Sequence, residues 1–278
     1  MTANAATTGK ALTQTQKTLI QLKKENGVAV ITLDDPPANT YTHEMMKQLD
    51  AAILDARFDD TTFVIVLTGA GEKFFSAGAN INMLNSVTPQ FKYCFCLHAN
   101  ETLSRLEQTP KLVIAALNGH TVGGGLEIAM AADIRIARKD AGKIGLPEVN
   151  LGVLPGTGGT QRLVRLVGKP KAIELMATGM NFTFEEAREW GIINQIFEGN
   201  HADFMEQVME YARQFTPPNK ASMAVGHIKR SVQSGAEIPL EYALALEREL
   251  QNLLFKSEDA KEGIKAYTEK KTPQFKGK

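Results

Sequence analysis

Residues 118–133 read Asn-Gly-His-Thr-Val-Gly-Gly-Gly-Leu-Glu-Ile-Ala-Met-Ala-Ala-Asp. An apolar run of strand type, Leu112 to Leu117, precedes them, and an Ala-rich, helix-forming run closes them. Gly123, Gly124 and Gly125 mark the turn between the two. Glycine lets a ligand approach the backbone with no Cβ in the way. The first amides of a helix lack intrahelical acceptors and carry the positive end of its dipole. The Gly124 N–H is therefore placed to hold an oxygen that is gaining negative charge. One turn further on, Glu127 is the lone acid of an otherwise apolar helix. Close packing of a helix on a strand, with an exposed Glu, would use the same residues. Both readings stay open at this point.

Outward from that stretch, strand and helix signals alternate. Thr18–Lys23 and Val28–Leu33 flank Glu25-Asn26-Gly27, which predicts a hairpin. Asp34-Asp35-Pro36-Pro37 stops the second strand, because proline cannot donate to a ladder. In His43–Arg57 the apolar Met46, Leu49, Ile53 and Ala56 share one helical face. Phe63–Thr68 reads as a buried strand, and a short helix is expected to start around Ala77-Gly78-Ala79-Asn80. Phe91–Glu107 reads as a longer helix ended by Pro110. Ile134–Ala137 and Gly142–Gly145 are short strand pieces, and Leu146-Pro147-Glu148 is expected to be extended. Gly152–Gly159 is a Gly/Pro loop before a helix at Thr160–Val167. Thr183-Phe-Glu-Glu186 is a capping box for a helix ending at Gly191, and Ile192–Phe197 is a last strand. Strand–helix–strand with short turns predicts a layered α/β fold of ββα-like units.

Beyond about Asn200 helical patterns dominate, at 204–215, 221–232, 237–255 and 258–270. Leu240, Leu244, Leu250, Leu253 and Leu254 form a broad apolar stripe. The expected division is a disordered tail at 1–16, a core at 17–215 and a helical region at 216–278.

The 278 residues are 43% hydrophobic and 22% charged, with zero formal net charge. That composition is ordinary for a soluble globular chain. Its neutral balance gives no argument for a nucleic acid or an acidic membrane surface as partner. No apolar run reaches the roughly 18–20 residues of a membrane helix, and no signal peptide opens the chain. Cys94 and Cys96, two apart on an expected helix, point to different sides, which disfavours a local disulfide, and they read as reduced, buried thiols of an intracellular, cytoplasmic protein.

Three loops share one design. Ser76-Ala-Gly-Ala-Asn80 offers a free amide at Ala79. Gly123-Gly-Gly-Leu-Glu127 offers a second amide and an acid, and Pro147-Glu148 offers another acid beside the glycine-rich loop. Two amides can bracket one oxygen, and two carboxyl groups can hold one water, one taking a proton while the other gives one. Phe75-Ser-Ala-Gly-Ala-Asn80, Asn118 to Glu127, and Leu146-Pro-Glu-Val-Asn-Leu-Gly-Val-Leu-Pro-Gly-Thr-Gly-Gly-Thr-Gln-Arg162 closely resemble the crotonase, or enoyl-CoA hydratase/isomerase, family. The resemblance runs from about Leu19 to Phe275. It implies a crotonase-like spiral of ββα units with a C-terminal helical trimerisation region.

The resemblance also implies roles. The amides of Ala79 and Gly124 match those that hold the acyl thioester oxygen, and Glu127 and Glu148 match the two glutamates of the hydratases. Ala77, Asn80, Ile81, Tyr267 and Lys270 match positions that contact substrate or CoA, the last two on a neighbouring subunit. The activity implied is addition of water to a trans-2-enoyl-CoA, giving 3-hydroxyacyl-CoA, by a trimer or dimer of trimers. No metal or redox cofactor is expected, since CoA belongs to the substrate. Three positions depart from the family pattern. Asn80 stands where Asp is common, and Asn82 where a CoA-contacting Lys is common. Pro37-Ala-Asn-Thr-Tyr41 differs from the usual Asn-Ala-Leu, with Tyr41 expected to fill core or to line the acyl pocket.

Other chemistries find less support. Gly156-Thr-Gly-Gly-Thr-Gln161 lacks the ending of a P-loop, and Ser76 sits in no nucleophile elbow. His120 is expected to be structural, as are Asp133 and Trp190, and no metal-ligand spacing occurs. The rivals on the same scaffold are a double-bond isomerase and a hydratase or lyase for a branched or cyclic acyl-CoA. An RNA-binding relative would need a basic stripe, which the acidic His43–Arg57 helix and its exit, with Asp59 and Asp60, do not offer. Both glutamates argue against a silent assembly subunit.

Overall fold

The computed structural model describes residues 17–278, so the expected tail at 1–16 lies outside the described residues. Asn26 and Gly27 both take positive φ, 49° and 79°, as a two-residue hairpin turn requires. They join β1 (Ile20–Glu25) to β2 (Val28–Leu33) in antiparallel register, Glu25 facing Val28. α1 (His43–Phe58) follows, its first turn capped by the Thr42 side chain on Met45 N–H, and buries Met46, Leu49, Ile53 and Ala56.

The unit then recurs. β3 (Val64–Gly69) and β4 (Phe74–Ser76) lead into α2 (Ile81–Ser86) and α3 (Pro89–Glu107). β5 (Leu112–Leu117) and β6 (His120–Val122) lead into α4 (Gly124–Met130). β7 (Ile134–Arg138) and β8 (Ile144–Gly145) lead through a 3-10 turn, Glu148–Leu151, into α5 (Gly159–Val167) and α6 (Lys169–Thr178). β9 (Asn181–Phe182), α7 (Phe184–Glu189) and β10 (Gln195–Phe197) come next, and α8 (His201–Arg213) follows.

In the β3–β4, β5–β6 and β7–β8 units the first strand enters a six-stranded sheet of order β1-β2-β3-β5-β7-β10, which also holds both strands of the opening hairpin and β10, and the second enters a four-stranded sheet of order β4-β6-β8-β9. The large sheet is covered on both faces, and β3 and β5 are buried along their whole length, apolar but for Thr68 near the end of β3. Ile65, Leu67, Val113 and Ala115 face the cluster that holds Met46, Leu49 and Leu103. Their alternates Val64, Val66, Ile114 and Ala116 face Phe204 and Val208 of α8.

The small sheet positions the three loops. β4 pairs with β6 in parallel, Ser76 beside Thr121, and β6 pairs with β8, Val122 beside Gly145. The loops that leave β4, β6 and β8 therefore emerge side by side from one edge. Ala77–Asn80, Gly123–Gly124 and Pro147–Glu148 become neighbours although far apart in sequence.

Three expectations are corrected here. Glu148 does not continue an extended run: Pro147 at φ −87°, ψ 16° turns the chain, and Glu148 opens the 3-10 turn closed by Gly152 at φ 72°. α6 was not expected. Gly168 at φ 77° ends α5 and starts α6 at once, so two helices occupy what reads as one helix and a connector. Cys94 is exposed and Cys96 half-buried, so the pair is not buried, although both thiols are free.

Three further helices follow Pro217-Pro218: α9 (Ser222–Gly235), α10 (Leu240–Phe255) and α11 (Glu258–Thr268). α9 is tied to the core by a buried ion pair, Lys229 Nζ to Asp133 at 2.9 Å. Asp133 also accepts from Val113 N–H and Gln233, the structural role expected of it. α10 buries Leu250 but leaves Leu240, Leu244, Leu253 and Phe255 exposed. No helix among the described residues is long and apolar enough to cross a membrane.

Candidate active site

Tyr41 fixes the first loop. Its N–H donates to Gly78 O at 2.9 Å, and its carbonyl accepts from Asn80 N–H at 2.9 Å. These two bonds set the backbone on either side of Ala79. The Ser76 hydroxyl accepts from Gly78 N–H at 3.1 Å and donates to Asn39 O at 2.7 Å. Asn80 caps α2 by accepting from Met83 N–H at 3.0 Å, so Asn serves where Asp is the commoner residue. Ala77 beside it is half-buried and Ile81 is exposed.

The second loop lies against the first. A Cβ placed on Gly78 would come within 2.8 Å of Gly124 N. Each residue of the glycine triplet has its own reason. Gly123 turns at φ 59°. A Cβ on Gly124 would collide with the Tyr41 hydroxyl, and one on Gly125 with the Ser76 carbonyl. Among the described residues, neither the Ala79 nor the Gly124 N–H has an acceptor.

Glu127, in the first turn of α4, is 2% exposed. Its Oε1 accepts from Thr157 N–H and from Gly159 N–H, each at 2.7 Å. The glycine-rich loop is thus a cradle for a carboxylate. A Cβ on Gly159 would stand 2.9 Å from that oxygen, so glycine lets the amide close in. The cradle is braced from behind: Arg162 pairs with both oxygens of Glu107, at 2.7 and 2.6 Å, and donates to Thr157 O at 3.1 Å. Asn100 donates to Gly156 O at 3.2 Å. Burial pushes the Glu127 carboxyl above its ordinary range, while the two amides and Arg162 pull the other way.

Glu148 reaches the same turn from the loop after the neighbouring strand β8. Its Oε1 is 3.0 Å from where a Gly123 Cβ would stand. Its Oε2 is buried with no partner among the described residues. Burial pushes this carboxyl up to about 7, and the charge of Glu127 adds to the effect. The two acids and the two amides therefore converge on one glycine turn.

The remaining expected residues fall elsewhere. Tyr267 and Lys270, at the end of α11, are exposed, and among the described residues no hydrogen bond links them to these loops. Asn82 is exposed on α2. His120 is structural: its Nδ1 accepts from Lys143 N–H at 3.0 Å and its ring packs on Phe74. Trp190 packs against Phe182 at the core edge. Sequence reasoning missed the cradle amides of Thr157 and Gly159 and the place of the Tyr41 hydroxyl. Tyr41 fills core, as expected, but its hydroxyl also lies 3.2 Å from Thr157 Oγ1. Among the described residues no group of three or more His, Cys, Asp or Glu is arranged to hold a metal ion.

A two-sheet spiral of strand–strand–helix units with its acids and open amides on one sheet edge defines a crotonase-type protein. Residues 23–278 match the family described as enoyl-CoA hydratase/isomerase, and the chain belongs to that family. It is 39% identical to a short-chain-enoyl-CoA hydratase of Clostridium acetobutylicum, over 90% of this chain and 94% of that one. It is 38% identical to a probable enoyl-CoA hydratase of Bacillus subtilis, over 93% of this chain and 98% of that one. A solved enoyl-CoA hydratase structure from Geobacillus kaustophilus superposes with a TM-score of 0.91 at 49% identity, covering 95% of this chain and 98% of that one.

Proposed function

We propose that this protein adds water across the double bond of a trans-2-enoyl-CoA to give the 3-hydroxyacyl-CoA. The observation that carries the reading is the unequal treatment of two carboxyl groups at one turn. Glu127 is surrounded by donors that favour its anion, while Glu148 has none at Oε2 and is pushed up to about 7. Near neutral pH one is poised to take a proton and the other to give one. Glu127 takes a proton from water as its oxygen bonds to C3. Negative charge moves to the thioester oxygen, which the Ala79 and Gly124 amides hold. Glu148 delivers its proton to C2. The pair ends with its proton exchanged, and exchange with solvent resets it. The reaction calls on no metal or redox cofactor, and CoA enters as part of the substrate.

Ala77, Asn80 and Ile81 border the first loop and would line the path of the pantetheine arm. Tyr267 and Lys270 would reach the CoA of a neighbouring subunit in a trimer or a dimer of trimers. The exposed α10 leucines, with Leu240 at 73% and Leu253 at 51%, supply the apolar surface for such an assembly. The free thiols of Cys94 and Cys96 fit a reducing compartment such as the cytoplasm. The test is absorbance of the conjugated enoyl thioester across a panel of enoyl-CoAs. Loss of that absorbance with formation of the 3-hydroxy product supports hydration. Double-bond migration without water uptake would assign the site to an isomerase. Light scattering should return three or six chain masses, and a monomer with full activity would overturn the assembly.

A further inference from the structure

We propose that Tyr41 is a positioning residue for the hydration: its hydroxyl donates to Thr157, which turns the Thr157 hydroxyl onto Glu127 and holds that carboxylate ready for the water's proton. The inference rests on the assignment of Glu127 as the base.

Tyr41 is 2% exposed, and its hydroxyl is 3.2 Å from Thr157 Oγ1. Filling this space needs only a ring. Phe95 packs on the Tyr41 ring at 5.7 Å, and phenylalanine would fill the same volume. A buried hydroxyl is unfavourable unless it is bonded, so its presence asks for a use. Thr157 is the residue whose N–H already holds Glu127 Oε1 at 2.7 Å. The Thr157 side chain also favours the anion of that carboxylate.

Two hydroxyls in contact can be oriented in two ways. If Thr157 donated to Tyr41, the phenol hydrogen would need another acceptor, and none is found among the described residues. The carboxylate would also lose a donor. If Tyr41 donates, both hydrogens are used and each bond polarises the next, running from Tyr41 to Thr157 to Glu127. Burial and the nearby Glu127 both raise the phenol above its ordinary range, which keeps it a donor. The same residue orients the amides. Its backbone brackets Ala79, and its ring tip rests on Gly124. One residue, through its backbone and its side chain, thus connects both open amides to the base.

The groups that face Glu127 come from several elements. Arg162 on α5 favours the anion. Glu148 on the 3-10 turn and Cys96 on α3 also feel its charge, and the Cys96 thiol is pushed up by burial and by Glu127. Burial and Glu127 push Glu148 up to about 7, and as the acid it governs the alkaline limb of the rate profile. The acid limb belongs to Glu127.

The experiment is kcat/KM for enoyl-CoA hydration against pH, in the full-length protein and in Tyr41→Phe, Thr157→Val, Thr157→Ser and the Tyr41→Phe/Thr157→Val double variant. Without the relay the Glu127 anion is less favoured, so its pKa rises. The acid limb should then move up by roughly half to one pH unit in Tyr41→Phe, the scale of one charge-directed hydrogen bond, while the alkaline limb stays. Thr157→Val should show the same shift, the double variant no further shift, and Thr157→Ser the parental limb. A uniform loss at every pH would mark Tyr41 as packing only and overturn the proposal. So would an acid limb unmoved in both Tyr41→Phe and Thr157→Val. If Tyr41→Phe fails to fold, Thr157→Val against Thr157→Ser decides. Glu127→Gln separates the two levels: retained activity there refutes the base assignment itself. An inactive Glu127→Gln beside an unmoved acid limb refutes the relay alone.

Discussion

The glycine-rich loop that covers Glu127 of α4 and the 3-10 turn that carries Glu148 surround the same kind of side chain, yet they treat it in opposite ways. The loop closes two amides on Glu127 and braces itself with the Arg162–Glu107 pair. The turn leaves Glu148 Oε2 buried and unmatched among the described residues. Both carboxyls are raised by burial, but Glu127 has the Thr157 and Gly159 amides and Arg162 to offset it, whereas Glu148 has its own backbone N–H. Donor count, set by backbone conformation, therefore separates the roles of two identical residues.

The largest effect should come from a change that disturbs both regions at once. In Gly124→Val the new side chain collides with the Tyr41 hydroxyl and crowds the open amide of the same residue. Hydratase activity should fall to background in a steady-state assay, with only a modest drop in the thermal midpoint. An active variant would show that the glycine triplet serves packing alone.

The next effect addresses each region singly. Glu127→Gln and Glu148→Gln should each lower kcat by at least ~10²-fold, the scale for losing a positioned acid or base. The double variant should be little worse than either, because both groups act on one water in one transition state. Two independent losses that multiply would break the picture of a paired site. Near-parental activity in both single variants would remove the site from this turn.

Much of this comparison was legible in the sequence, and the part that was not has physical reasons. The Asn26-Gly27 hairpin, the α1 face and the Thr183–Glu186 capping box are local features, decided by residues within a few positions of one another, and they form as expected. The apolar runs of β3 and β5 announced strands buried on both faces. The glycine-rich loop was read for what it lacked as a phosphate binder. Its partner is Glu127, some thirty residues away, and backbone amides leave no side-chain signature. The 3-10 start at Glu148 depends on the ψ of Pro147, which the rule for residues before proline does not address. α6 was hidden because Gly168 serves two helices at once. Tyr41 looked like core because it is core, and the use of its hydroxyl depends on Thr157, 116 residues away.

The smallest effect tests the Glu148 region through stability rather than rate. A carboxyl raised to about 7 in the fold binds its proton more tightly there than in the unfolded chain, where its ordinary value is about 4.3. Below the unfolded value both states are protonated, and the group makes no pH-dependent difference. As pH rises from about 4.3 to 7, the unfolded chain gives up its proton first, so this group lowers stability progressively. Above 7 both states are ionised and the whole penalty is present. Glutamine is neutral throughout and escapes it. Glu148→Gln should therefore match the parent near pH 4.5 and gain on it up to pH 7, with the difference level beyond. Glu148 is partly exposed, so water screens much of the penalty. The expected gain at pH 8 is about 2–4 °C in thermal midpoint, the size that about 1 kcal/mol produces in a domain of this length. The measurement is the midpoint of both proteins from pH 4.5 to 8.5. A gain that grows with pH would mean that the site keeps an unmatched carboxyl at a cost to the fold. A loss at every pH would mean that Oε2 has a bonding partner, and the contrast between the two acids would then have to be drawn from their positions alone.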